Sequence, residues 1–126
     1  MSKDVHAIET VIQTYFDGLY EGDVKKLGAA FHDVSHLYSV GPDGTVQDLP
    51  RAQWLDAVQT RPSSKSRNLA RADRIVSIDM SGPETAFVKV ECQIPPRYFT
   101  DYLTLLKQKD ASWRIVSKTF RTTVKD

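Results

Sequence analysis

Near the start of the chain, Ile8, Ile12, Tyr15 and Leu19 recur at steps of four and three, with Val5, Val11 and Phe16 at the edges of the stripe. This spacing predicts an amphipathic helix of about three turns. Glu21-Gly22-Asp23 ends it: Gly22 suits a left-handed C-cap and Asp23 the next N-cap. Val24, Leu27, Ala30 and Phe31 then make a short second helix, expected to finish near His32 and Asp33. From there the period changes. Residues 34–40 read as extended, residues 41–45 as a turn, and residues 46–49 as a returning strand. Pro50 fits the first position of a third helix, which carries Trp54, Leu55 and Val58 on one face and stops at Arg61-Pro62. Residues 60–68 are polar and serine-rich and are expected to form a mobile loop.

Beyond Leu69 the pattern alternates. Val76, Ile78 and Met80 share one side of a strand, and Ala86, Val88, Val90, Cys92 and Ile94 one side of the next. Pro95-Pro96 interrupts, residues 98–107 form a third strand, and a turn at residues 109–112 leads into residues 113–124. Short turns predict a meander of antiparallel strands, and helices followed by strands argue for an α+β fold. A chain of 126 residues suits one domain spanning residues 1–126.

Charge excludes more than it suggests. The 17 basic and 16 acidic residues leave a net charge of +1, so no global field points to nucleic acid or a membrane surface. No apolar run reaches the roughly 18 residues of a membrane span, and the N-terminus lacks the apolar core of a signal peptide. Cys92 is the only cysteine, which rules out an intrachain disulfide and fits a small buried hydrophobe. A reducing cytoplasmic location is therefore expected. No phosphate-binding glycine loop, zinc-protease motif or nucleophile elbow occurs.

One residue stands against its surroundings. Asp101 alternates with Phe99, Leu103 and Leu105, which places a carboxylate on an otherwise apolar strand face. A buried carboxylate is costly unless it is paired, protonated or facing a polar cavity. Facing a dry cavity it would keep its proton; against an arginine or lysine it would be ionised. Tyr15 on the first helix and Trp54 on the third could be core residues or pocket walls. His36 shares a strand face with Tyr38, and Ser39 the opposite face with Ser35 and Leu37; a bulge would exchange them. Arg61, Lys65, Arg67, Arg71 and Arg74 are the one local excess of positive charge, read as a solvated surface, an anion clamp or a weak nucleic-acid contact. His32 and His36 need not converge, and no metal site is expected.

The run from Tyr15 through Asp23 (YFDGLYEGD), with Leu27 and Phe31-His-Asp33, resembles the first two helices of the nuclear-transport-factor-2-like superfamily. Asp101-Tyr-Leu-Thr-Leu-Leu106 and Trp113-Arg-Ile-Val-Ser-Lys118 resemble its last two strands, and the chain is most similar to the "putative lumazine-binding" group. The resemblance implies a cone: a curved antiparallel sheet wrapped around the N-terminal helices in cystatin-like topology, with a pocket at the wide end. It extends more distantly to ketosteroid isomerase, scytalone dehydratase and polyketide cyclases. Matched without gaps to the isomerase, Tyr15 and Asp101 fall on its oxyanion-hole tyrosine and carboxylic acid, and its general base falls on Ser39.

Three readings follow. The first is a cofactor-free protein that binds a small, planar, partly polar organic molecule, lined by Tyr15, Leu19, Ser39, Trp54 and Asp101. The second is a cofactor-independent isomerase, dehydratase or cyclase, with Asp101, Tyr15 and His36 as candidate catalytic groups. The third is an interaction module that dimerises through the outer sheet face, where Tyr98, Tyr102, Leu106, Val116 and Phe120 would be exposed.

Overall fold

The computed structural model describes residues 2–125. Its elements are α1 (Ser2–Glu21), α2 (Val24–Ala30), β1 (Phe31–Val40), β2 (Val46–Pro50), α3 (Arg51–Thr60), β3 (Arg74–Ser81), β4 (Thr85–Ile94), β5 (Arg97–Lys107) and β6 (Trp113–Val124). The α1 stripe is buried as its spacing requires, with Ile8, Ile12 and Tyr15 fully enclosed. Gly22 adopts φ +68°, and a side chain there would also meet Ser63 Cβ at 2.9 Å, so glycine satisfies both the turn and the close approach. Asp23 caps α2 by accepting from the backbone N–H groups of Lys25 and Lys26. Phe31 already belongs to β1, because the backbone turns extended at that residue. Pro50 is likewise one position earlier than expected: it is the N-cap of α3 and the last residue of β2.

The strands form one open sheet in the order β2-β1-β6-β5-β4-β3. The expectation of an antiparallel sheet holds for four of its five ladders. The exception is β1 with β6, the second ladder from the β2 edge, which run parallel. This is a mixed sheet, and the α+β class stands.

Two bulges revise which side chains face the core. In β3 the register slips between Ile75 and Ser77, so Ile75, Ile78 and Met80 turn inward while Val76 is exposed. In β6 the register against β5 slips between Thr104 and Leu105. Trp113 and Ile115 therefore point inward, and after the slip Lys118 and Phe120 do. Phe120 packs edge-on against Phe99, with ring centroids 6.2 Å apart, so the sequence expectation that it lies on the outer face is corrected.

The segment expected to be a mobile loop is tied down. Lys65 N–H donates to the Tyr20 carbonyl at the end of α1, Leu69 N–H donates to Ser64 O, and Ser63 and Ser66 bond to each other. Ser64 is buried as a result. These contacts bring the polar loop to the end of the α1–α3 layer.

Candidate functional site

Tyr15 comes from the middle of α1, Asp101 from the inward face of β5, and Lys118 from β6 just past its bulge. The Tyr15 hydroxyl donates to Asp101 Oδ2 at 2.5 Å, and Lys118 Nζ donates to the Tyr15 oxygen at 2.8 Å. The ammonium lies 3.9 Å from the carboxylate. Cys92 Sγ adds a weak contact to the same oxygen at 3.6 Å. Asp101 Oδ1 is buried and has no hydrogen-bond partner among the described residues. The carboxylate is thus satisfied on one side only.

Aromatic rings enclose the ammonium. It stands 4.7 Å from the Phe120 ring centroid, 5.1 Å from Trp54 and 5.2 Å from Tyr15. Trp54 in turn packs edge-on against Phe31 at 4.8 Å and tilts over Tyr15 at 6.5 Å. A buried charge pair bridged by a phenol and faced by ring quadrupoles meets the conditions that make such a pair tolerable.

Burial and the neighbouring Asp101 charge hold the Tyr15 phenol well above its ordinary 10.0. Burial, with Asp101 again beside it, pushes the Cys92 thiol above its ordinary 9.0. The folded protein therefore keeps both protons in a range where the unfolded chain releases them. Stability is unaffected by these groups below about pH 9 and falls as pH rises beyond it, with a slope of about one proton per group. Urea unfolding from about pH 8 to about pH 11 should show this decline, and Tyr15→Phe should lose one proton of the slope. An equal slope in the variant would mean that Tyr15 titrates as it does in the unfolded chain.

A cavity of about 380 Å³ is lined by Leu19, Gly22, Val58, Ile94, the residues 61–64 segment, Arg67 and Arg97, and the residues of the buried cluster do not line it. Leu19 is one helical turn beyond Tyr15, Val58 one turn beyond Trp54, and Ile94 two strand positions beyond Cys92. The cavity is therefore continuous with the elements that carry the buried cluster. A larger groove of about 600 Å³ runs across β4–β6 past Arg74, Glu91, Tyr98, Thr100 and Arg121, and also touches the inward-facing Cys92 and Phe99. It reaches the cluster only through Cys92.

Of the residues selected from sequence, the fold brings together Tyr15, Asp101 and Trp54, with Leu19 one turn away at the cavity. Ser39 follows buried Ser35 and Leu37 on the inner side of β1 but is only half-buried, and it pairs with Gln47 in the β2 ladder. His36 is on the opposite face, where its Nδ1 lies 2.5 Å from Asp48 Oδ1 and its ring stacks on Tyr38. It is not beside Tyr15 and Asp101. The basic segment divides: Arg71 pairs with Asp17 and Asp73, Arg74 pairs with Glu91, and Arg61 and Arg67 reach the cavity. Lys118 was missed from sequence. Its only signal was a lysine in a strand otherwise rich in Trp, Ile, Val and Phe, and simple alternation with Trp113 and Ile115 turns it outward. Among the described residues no group of three or more His, Cys, Asp or Glu side chains converges as a metal site, and no helix is long and apolar enough to cross a membrane.

The family model described as "putative lumazine-binding" matches residues 3–121. Among solved structures, a nuclear-transport-factor-2-like protein of unknown function from Shewanella baltica OS155 is 25% identical with a TM-score of 0.86, covering 99% of this chain and 98% of that one. A ketosteroid isomerase-like protein from Erwinia carotovora atroseptica SCRI1043 is 13% identical with a TM-score of 0.76, covering 99% and 100%. A cystatin-like fold protein from Burkholderia xenovorans LB400 is 17% identical with a TM-score of 0.71, covering 97% and 93%. At the two lower identities the likeness is one of fold alone. No curated protein matches the sequence. The expected superfamily and cystatin-like topology are met.

Proposed function

The chain belongs to the "putative lumazine-binding" family, and on that premise we propose that it binds a small, planar, partly polar organic molecule in the cavity beyond Tyr15, Trp54 and Asp101. One observation carries the reading: a cavity of about 380 Å³ is lined by Leu19, Val58 and Ile94 together with buried Ser64 and three arginines, on the same helices and strands that bury Tyr15, Trp54 and Asp101. Apolar walls with a few convergent polar groups are the usual makeup of a ligand site. Lumazine, a planar heterocycle with ring N–H and carbonyl groups, is the first ligand to try. Native mass spectrometry of freshly purified protein and calorimetric titration with lumazine test it together. Either a co-purifying small molecule or saturable lumazine binding is expected, lost in Leu19→Trp, which fills the cavity. Neither signal from the parent protein would end the proposal.

Catalysis of the isomerase or cyclase type is less well supported. For Tyr15 and Asp101 both to donate to an oxyanion, Asp101 would need a proton and Tyr15 would have to leave it. Neither position considered for the base supplies one: residue 39 is a serine, and His36 is held by Asp48 on the outer face. The reading requires no cofactor.

We also propose a homodimer through the outer sheet face. Phe87 and Tyr102 stack there at 5.8 Å, and Leu106 is exposed on the same strand as Tyr102. Apolar side chains grouped in this way usually mark an interface, and a second copy can pair the same patch about a two-fold axis. Sedimentation at micromolar concentration is expected to give a dimer; a monomer would refute this. The lone buried thiol of Cys92 fits a reducing cytoplasm, which we propose as the location.

A further inference from the structure

The cavity mouth carries a charge that the protein itself does not neutralise. Arg61 and Arg67 lie in the loop after α3 and Arg97 opens β5, so two segments distant in sequence bring three arginines to the lining of one cavity. Arg97 has the same strand parity as Phe99 and Asp101, which aims it to the inner side. None of the three has a salt-bridge partner among the described residues. The acids in adjoining segments are already engaged: Asp17 and Asp73 with Arg71, Glu21 with Lys26, Glu91 with Arg74, and Asp23 as the α2 cap. The rest of the lining combines apolar Leu19, Val58, Pro62 and Ile94 with Gly22, Ser63 and Ser64. In the wall, Ser64 is 2% exposed and its Oγ has no hydrogen-bond partner among the described residues.

We propose that Arg61, Arg67 and Arg97 bind an oxyanion, carboxylate or phosphate, borne by an organic ligand whose apolar body lies against Leu19, Val58 and Ile94. Guanidinium groups offer paired N–H donors that match the spacing of carboxylate and phosphate oxygens, and these charge-assisted bonds are the strong ones. Ser64 supplies a further hydroxyl donor. The surroundings also favour an arriving anion: Arg61 is partly desolvated and feels the like charge of Arg97, and both effects lower its hold on its own proton. An anion between the two removes that repulsion.

The inference rests on the pocket reading above and assigns the chemical class of its ligand. Three probes of nearly equal shape separate the two: naphthoate, naphthyl phosphate and the neutral naphthamide, titrated calorimetrically into the full chain. At least one anion is expected to bind about tenfold or more tightly than the amide, as a charge-assisted contact predicts. Whichever binds tighter distinguishes carboxylate from phosphate. The preference should shrink in added salt and disappear in the exposed double variant Arg61→Gln/Arg97→Gln, with amide binding retained. Equal binding of all three probes, or a preference untouched by the double variant, overturns the oxyanion assignment and leaves the pocket in place. No binding of any probe overturns both.

Discussion

Lys118→Met is expected to destabilise the protein by about 3–5 kcal/mol, because it strands a buried carboxylate with no cation beside it. In the native protein the ammonium is 3.9 Å from Asp101 and holds the Tyr15 hydroxyl that bonds to it. Methionine keeps much of the length and the contact with the aromatic rings, so packing loss is small and the electrostatic loss dominates. The double variant Lys118→Met/Asp101→Asn separates the two contributions. Removing both charges should recover most of the stability, since a buried pair replaced by neutral groups of similar shape is often nearly neutral in cost. Urea unfolding of the parent, both single variants and the double variant gives the coupling energy. A Lys118→Met protein within about 1 kcal/mol of the parent would mean that water or local rearrangement already shields Asp101.

Trp54→Ala should cost a similar amount, about 3–5 kcal/mol, for a different reason. Trp54 and Val58 are the buried side chains of α3, so this ten-residue helix is anchored to the rest of the fold chiefly by two residues. Deleting the indole removes its contacts with Phe31 and Tyr15 and opens one side of the ring enclosure around Lys118. Trp54→Phe keeps a ring in place and should lose much less. Amide exchange would locate the damage: α3 protection should fall further than that of β4 and β5. Uniform loss across the sheet would instead make Trp54 part of the central core.

The sequence placed Asp101 correctly because β5 is regular where it matters. Phe99, Asp101, Leu103 and Leu105 alternate without interruption, and the period-2 rule needs nothing else. Tyr15 was legible for the equivalent reason on α1. The anion-facing arginines were half legible: Arg61 and Arg67 stood in a visible basic segment, but Arg97 joins them only through the β4–β5 connection. Lys118 and Phe120 lie beyond a bulge, where one extra residue reverses the facing of all that follows, and Val76 is the extra residue of another. Neither slip has a glycine or proline to announce it, and each is fixed by the partner strand. The parallel pairing of β1 with β6 is equally silent, because its partners lie at opposite ends of the chain and no turn connects them.

The slip in β6 also divides the β5–β6 ladder mechanically. Its closed end holds Trp113, pinned to Asp4 of α1 through the indole N–H, and the fully buried Ile115. Its far end runs from Lys118 to Val124, which is exposed. An interrupted ladder can open in part: separation at the far end meets a break before it reaches the closed end. Fraying from Val124 therefore meets Arg121 and Thr119 before Lys118, which β1 also holds through its pairing with Leu37, so the buried cluster sits on the protected side of any partial opening.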